Sequence, residues 1–264
     1  MTELTRKQPG FTLVEMAVAL AIVGLLLSGL IPTLSSQMEQ RQANETRKQL
    51  DEIQQALIGF AIANGRLPCP ASDSPTSYGQ ESFCTSTTGA CIATTTYQSH
   101  GKCSNFYNGL VPAATLGISP VDAQGYLLDG WGNRIRYAVI EKTINGIDNA
   151  LTSNNGMQSA TMTKITDASL LNVCVSSTGI TGSDCGAPLN KLTDKVPALI
   201  YSTGKNGGYG GTGADEAANL NGNRVFVSHT PTPGTATNGE FDDLIIWLSP
   251  NILFNRMVAA GRLP

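Results

Sequence analysis

Histidine is scarce in this chain, with two in 264 residues, and charge is thin at 14% Asp, Glu, Lys and Arg. His100 and His229 lie far apart in sequence, and no C-x-x-C occurs anywhere, so the spacing that builds structural zinc sites is missing. The absence of C-x-x-C-H excludes covalent haem attachment on the same basis. There is no G-x-S-x-G, no H-E-x-x-H and no Walker A motif, which removes the common signatures of serine hydrolases, zinc proteases and P-loop enzymes. Aromatics are only 6%, and Lys and Arg are scattered beyond residue 48 rather than gathered in a stripe. The formal net charge is −3, so nothing draws the chain toward nucleic acid or an anionic surface. No enzymatic activity is expected.

Two weak motifs remain. Gly208-Tyr209-Gly210-Gly211-Thr212-Gly213 fits G-x-G-x-x-G, but a dinucleotide loop must open a long helix, and Asn221-Gly222 breaks the chain soon afterwards. A loop is the expectation there. Asp215, Glu216, Asn219 and Asn221, with the later Asp242 and Asp243, form a set of hard oxygen donors of the kind calcium takes. EF-hand spacing fails because Ala217 stands where an acid is required. The expected cofactor complement is none, with Asp215 and Asp243 as the candidates for a structural calcium.

What is abundant is apolar sequence near the start. Phe11 to Ile31, about 21 residues, contains one charge, Glu15. At about 1.5 Å per residue this run spans roughly 30 Å, the thickness of a bilayer's hydrocarbon core. A carboxylate there costs about 3 kcal/mol or more, and the run holds no Lys, Arg or His to pair with it. Its partner must come from outside the run. Arg6 and Lys7 precede the segment and predict a cytoplasmic N-terminus with the rest of the chain exported. No small-residue cleavage site closes the run; Gly10, before it, is the one small residue at a processing point.

Gly10-Phe11-Thr12-Leu13-Val14-Glu15, with Gly24 and Pro32 further on, resembles the signal of type IV pilins and type II secretion pseudopilins over about the first 60 residues. The resemblance implies cleavage after Gly10 by a prepilin peptidase, N-methylation of Phe11, and pairing of Glu15 with the terminal amine of a neighbouring subunit in a filament core. It implies a cleaved leader over 1–10 and a membrane or filament-core helix over 11–31. The precursor would be a single-pass inner-membrane protein with a periplasmic head, later part of an extracellular or periplasmic filament. The implied partners are other pilin subunits, the peptidase and an inner-membrane assembly platform. The function expected is structural subunit of a type IV pilus-like filament. The alternatives are a secretion pseudopilin and an adhesive module at a pilus tip.

Beyond the run, Pro32 predicts a kink or a short unwound stretch. Leu50, Ile53, Leu57, Phe60 and Ala61 recur at helical spacing, so an amphipathic continuation is expected over 32–65, stopped at Asn64-Gly65. Apolar runs at 134–140, 169–176, 196–201, 225–227 and 244–248 predict about five strands, and Ser249-Pro250 predicts a final helix. The fold class is α+β: a long N-terminal helix packed on a mostly antiparallel sheet, with a head over 66–264. Asp129-Gly130-Trp131-Gly132-Asn133 and Asp242-Asp243-Leu244-Ile245-Ile246-Trp247 resemble turn and late-strand patterns of pseudopilin heads.

All six cysteines follow the apolar run, an even count that fits disulfides in an oxidising compartment. Cys174 and Cys185, close in sequence, are the expected pair. Cys69, Cys84, Cys91 and Cys103 allow three connectivities, and the region 69–103 is expected to be a disulfide-pinned loop rather than a second core.

Overall fold

The computed structural model describes residues 12–74, 76–209, 211 and 213–263. They fall into two units, Met1–Ala43 and Asn44–Pro264. The helix α1 (Leu13–Asn64, 52 residues) contributes to both. It runs through Pro32 as one helix, so no unwound stretch forms there. One proline removes a single backbone bond, and long helical segments on either side continue past it. Among the described residues no helix is long and apolar enough to cross a membrane.

In the first unit the large apolar side chains from Leu13 to Leu25 are exposed. Leu13 is 88% accessible, Leu20 66% and Leu25 77%. The second unit begins inside the helix, earlier than the expected head boundary at 66, because the later part of α1 belongs to the core. Leu50, Ile53, Leu57, Ile58 and Ala61 are buried. Ile58 takes the core position that the sequence assigned to Phe60, which is half-buried beneath the Arg66 guanidinium. Gly65, at φ +68°, ends the helix in the left-handed conformation that glycine adopts without strain.

The second unit mixes helix with mainly antiparallel sheet. β3 (Gly109–Leu110), β4 (Arg136–Val139), β7 (Ala198–Ser202) and β9 (Leu244–Trp247) form one antiparallel sheet in the order β3-β4-β7-β9. Gln54 Nε2 of α1 donates to the Trp247 carbonyl of β9 at 2.9 Å. A second sheet, β6-β5-β8, joins Lys191–Val196, Leu171–Cys174 and Val225–Val227, with β5 antiparallel to β6 and parallel to β8. The single sheet read from sequence is therefore two sheets and a hairpin, β1 (Phe83–Cys84) with β2 (Ala93–Thr94). Short helices α2 (Ala113–Leu116), α3 (Gly156–Ala160), α4 (Met162–Asp167) and α5 (Ala214–Asn219) punctuate the connections, and α6 (Pro250–Ala259) opens with proline at its first turn.

One buried cluster joins the α1 stripe to Tyr137, Leu199, Phe226 and Phe254; a smaller one under the second sheet holds Val225, Val227 and Phe241 around Cys174 and Cys185. Three disulfides form: Cys69–Cys103, Cys84–Cys91 and Cys174–Cys185. The first ties the chain just after α1 to the end of the hairpin region. Arg66 sits beside it, 5% accessible, its guanidinium bonded to both Glu81 carboxylate oxygens at 2.8 and 2.7 Å and ringed by Phe60, Phe83 and Tyr97.

Candidate functional site

Gly10 and Phe11 lie outside the described residues. Thr12 and Glu15 close the start of α1 with a reciprocal pair. The Glu15 amide donates to Thr12 Oγ1 at 3.3 Å, and the Thr12 amide and hydroxyl both donate to Glu15 Oε2 at 2.8 Å. This is a capping box, two helix-end donors satisfied by each other's side chains. Its signal, Thr-x-x-Glu before an apolar run, stood in the sequence and was missed because Glu15 was read for a partner outside the helix. In the subunit alone, then, Glu15 has a partner one turn away.

A second constellation forms late in the chain. One carboxylate oxygen from each of Glu216, Asp242 and Asp243 lies within 4.8 Å of the others, and Glu216 and Asp243 are buried. α5 supplies Glu216, and the approach to β9 supplies the two aspartates. Glu216 accepts from Asn206 Nδ2 at 3.1 and 3.0 Å, from the Gly213 amide at 3.2 Å and from the Asp242 amide at 3.0 Å. Asp242 Oδ2 accepts from the Lys205 amide at 3.0 Å, and Asp243 Oδ2 accepts from Asn219 Nδ2 at 2.7 Å. Asp242 Oδ1 and Asn206 Oδ1 are buried with no partner among the described residues.

The loop carrying Lys205 and Asn206 is held by the Asp129-Gly130-Trp131-Gly132-Asn133 turn. Asp129 Oδ1 accepts from the Trp131 and Asn133 amides at 2.9 and 2.8 Å, and its Oδ2 accepts from Ser202 Oγ. Asn133 Nδ2 donates to the Gly204 carbonyl at 2.6 Å, and Thr46 Oγ1 of α1 takes the Gly130 amide at 2.9 Å. At Gly204, φ +63°, a Cβ would stand 2.0 Å from Asp242 Oδ1, so only glycine lets the loop approach the aspartate.

Crowding shapes the acidity of the cluster. Burial, then the neighbouring Glu216 charge, pushes Asp242 up to about 6. Burial pushes Asp243 up to about 8, with the charges of Glu216 and Asp242 adding to the rise against the opposing Asn219 bond. The three donors are hard oxygens, Asp242 Oδ1 is without a partner among the described residues, and the charge of Glu216 works against ionisation of both aspartates. The donor chemistry is of the kind calcium takes: Glu216, Asp242 and Asp243 would hold such an ion, and its charge would offset their repulsion. Sulfur and imidazole, the ligands zinc prefers, are absent from it.

Of the two sequence candidates, Asp243 lies in this cluster and Asp215 does not. Asp215 accepts from the Ser177 amide at 2.6 Å and Asn238 Nδ2 at 3.0 Å, and meets His229 Nε2 at 3.0 Å. Burial works to raise its pKa, but these bonds hold it below the usual range. Neighbours on a helix point about 100° apart, so when α5 turns Glu216 to the cluster it turns Asp215 away. The glycine-rich stretch before α5 leads into a helix of only six residues, too short for a dinucleotide loop.

Residues 5–31 match the prokaryotic N-terminal methylation motif, the signal segment of type IV pilins and pseudopilins. No curated protein and no solved structure matches the chain.

Proposed function

We propose that the chain is a structural subunit of a type IV pilus-like filament, cut after Gly10 by a prepilin peptidase, methylated on Phe11 and assembled through α1. The observation that supports this reading most is the methylation motif over residues 5–31, with Glu15 inside it as the lone charge of the apolar run. The inner membrane holds the precursor by residues 11–31 with its head in the periplasm, and a membrane platform assembles it. On assembly, Glu15 exchanges the Thr12 cap for the terminal amine of a neighbour, because a carboxylate in an apolar core must keep a partner. A pilus is favoured over a secretion pseudopilus by the disulfide-pinned 69–103 region, whose hairpin tip at residues 85–90 is exposed and suits surface display or adhesion. The chain performs no catalysis in this reading, and the Glu216, Asp242 and Asp243 carboxylates hold a structural calcium.

Intact-mass and N-terminal peptide analysis of the protein from its native cell tests the reading. A chain beginning at N-methylated Phe11, and a Glu15→Ala variant that inserts but does not enter filaments, are expected. An unprocessed Met1 in cells with active peptidase, or normal incorporation of the variant, overturns it.

A further inference from the structure

A cavity of about 240 Å³ lies between the loop after Cys69 and the β1–β2 hairpin. Its lining is Ser72, Ser74, Thr76, Ser77, Ser82, Thr94 and Thr95, with Ala93 alone lacking a hydroxyl. No Asp, Glu, Lys or Arg occurs between Glu81 and Lys102. The nearest charges in sequence are matched elsewhere: Glu81 by buried Arg66, and Asp73 by Arg134 at 2.6 Å.

The hydroxyls divide into those that build the wall and those left to face a ligand. Ser77 Oγ donates to the Ser72 and Ser74 carbonyls at 2.6 and 2.9 Å and lies 2.6 Å from the buried Tyr126 hydroxyl, which bonds the same two carbonyls. That network ties Ser72, Ser74 and Ser77 to Tyr126. On the opposite side the Cys84–Cys91 bridge closes the hairpin. Ser82, 2% accessible, receives the Ser104 hydroxyl at 2.7 Å, which leaves its own hydrogen without an acceptor among the described residues. Thr94 Oγ1 receives the Thr96 amide and likewise keeps its hydrogen. Ser72 Oγ and Thr95 Oγ1 have no hydrogen bond among the described residues.

We infer that this cavity binds an uncharged sugar residue, with the unspent hydroxyls of Ser72, Ser82, Thr94 and Thr95 bonding its hydroxyls. Hydroxyls both donate and accept, so they match the two-way bonding of sugar hydroxyls. A charged ligand would enter without a counter-charge, which disfavours it. The fixed walls reduce the ordering lost on binding. The inference does not depend on filament assembly.

The test is saturation-transfer NMR on the full-length chain in detergent, with the methyl glycosides of glucose, galactose and mannose and with N-acetylglucosamine as probes. Glucuronate and glucosamine serve as charged controls. Saturable transfer to at least one neutral probe is expected, with none to the charged ones. Ser72→Ala with Thr95→Val should weaken it about tenfold or more. Should the double variant melt early, Thr95→Val alone, at an exposed position, makes the same test. No transfer to any neutral probe, equal transfer to the charged sugars, or wild-type binding by the variants overturns the assignment.

Discussion

The two ends of α1 follow opposite rules. From Leu13 to Leu25 its large apolar side chains are exposed all round, Leu13 at 88% and Val23 at 50%. From Leu50 to Ala61 the apolar residues form one stripe, buried to 1% or less at Leu50, Ile53, Leu57 and Ala61. A helix apolar on one face finds its partner within its own fold, whereas one apolar on every face needs surroundings that the chain does not supply. The difference separates stability from assembly: changes in the late part should alter folding, and changes in the early part should alter what the subunit joins.

The largest break in that division comes just past the helix end. Glu81→Gln removes the counter-charge of Arg66 and leaves a buried guanidinium with the Leu67 carbonyl, a neutral amide and aromatic faces around it, at a cost of about 3–5 kcal/mol in unfolding free energy. Denaturant unfolding of the full chain measures it. Next, Leu57→Ala in the buried stripe should cost about 3 kcal/mol by transfer and cavity terms. Leu20→Ala in the exposed part should leave the unfolding midpoint of the second unit unchanged and lower filament yield. Equal destabilisation by both would show that the two parts of α1 do not differ as their exposure implies.

The carboxylate cluster sharpens the comparison from within the folded unit. In the unfolded chain both aspartates titrate near 3.8, and in the folded one near 6 and 8. Between these values the folded state binds more protons, so without metal its stability falls as pH rises from about 4 to 8. Below the unfolded value the two states bind protons alike and the penalty vanishes. Calcium at a hundredfold excess over its Kd should raise stability by about 2.7 kcal/mol and flatten that slope. Melting curves at pH 5 and pH 8 with calcium or chelator check both. A chelator-insensitive midpoint at pH 8 would remove calcium from the cluster.

How much of this could be read beforehand follows from where the determinants sit. The Leu50–Ala61 stripe, the Asn64-Gly65 stop and the runs that became β4, β5, β7, β8 and β9 are local patterns of period or composition, and they were legible. β6, Lys191-Leu192-Thr193-Asp194-Lys195-Val196, is an edge strand whose charges conceal alternation, and edge strands carry charge to discourage pairing with other chains. β1, β2 and β3 are two residues long and exist through disulfides and bridges to distant segments, which no window of sequence shows. The same limit applied to the site. Glu216 was visible as one acid among several, but selecting it over Asp215 required the phase of a six-residue helix. Thr12 was within reach, since its capping pattern spans four residues.

The smallest effect tests the ends of α1 against each other. At the C-terminal end, Arg262 Nε donates to the Ile62 carbonyl at 2.7 Å and a second guanidinium nitrogen reaches the Ala63 carbonyl. These are among the last carbonyls of the helix, which have no partner inside it, and a cation there also meets the negative end of the helix dipole. Arg262→Ala should therefore cost about 1 kcal/mol in unfolding of the second unit, less than the buried-pair loss because the arginine is exposed and water replaces it in part. At the N-terminal end, Thr12→Val removes the hydroxyl from the capping box, a comparable local loss of about 1 kcal/mol. Yet that cap sits beside apolar residues, Leu13 to Leu25, that are exposed, so the variant should melt like wild type and differ only in assembly. Were Thr12→Val to lower the melting temperature as far as Arg262→Ala, the start of α1 would be part of the cooperative fold, and its exposed leucines would have to find cover inside it.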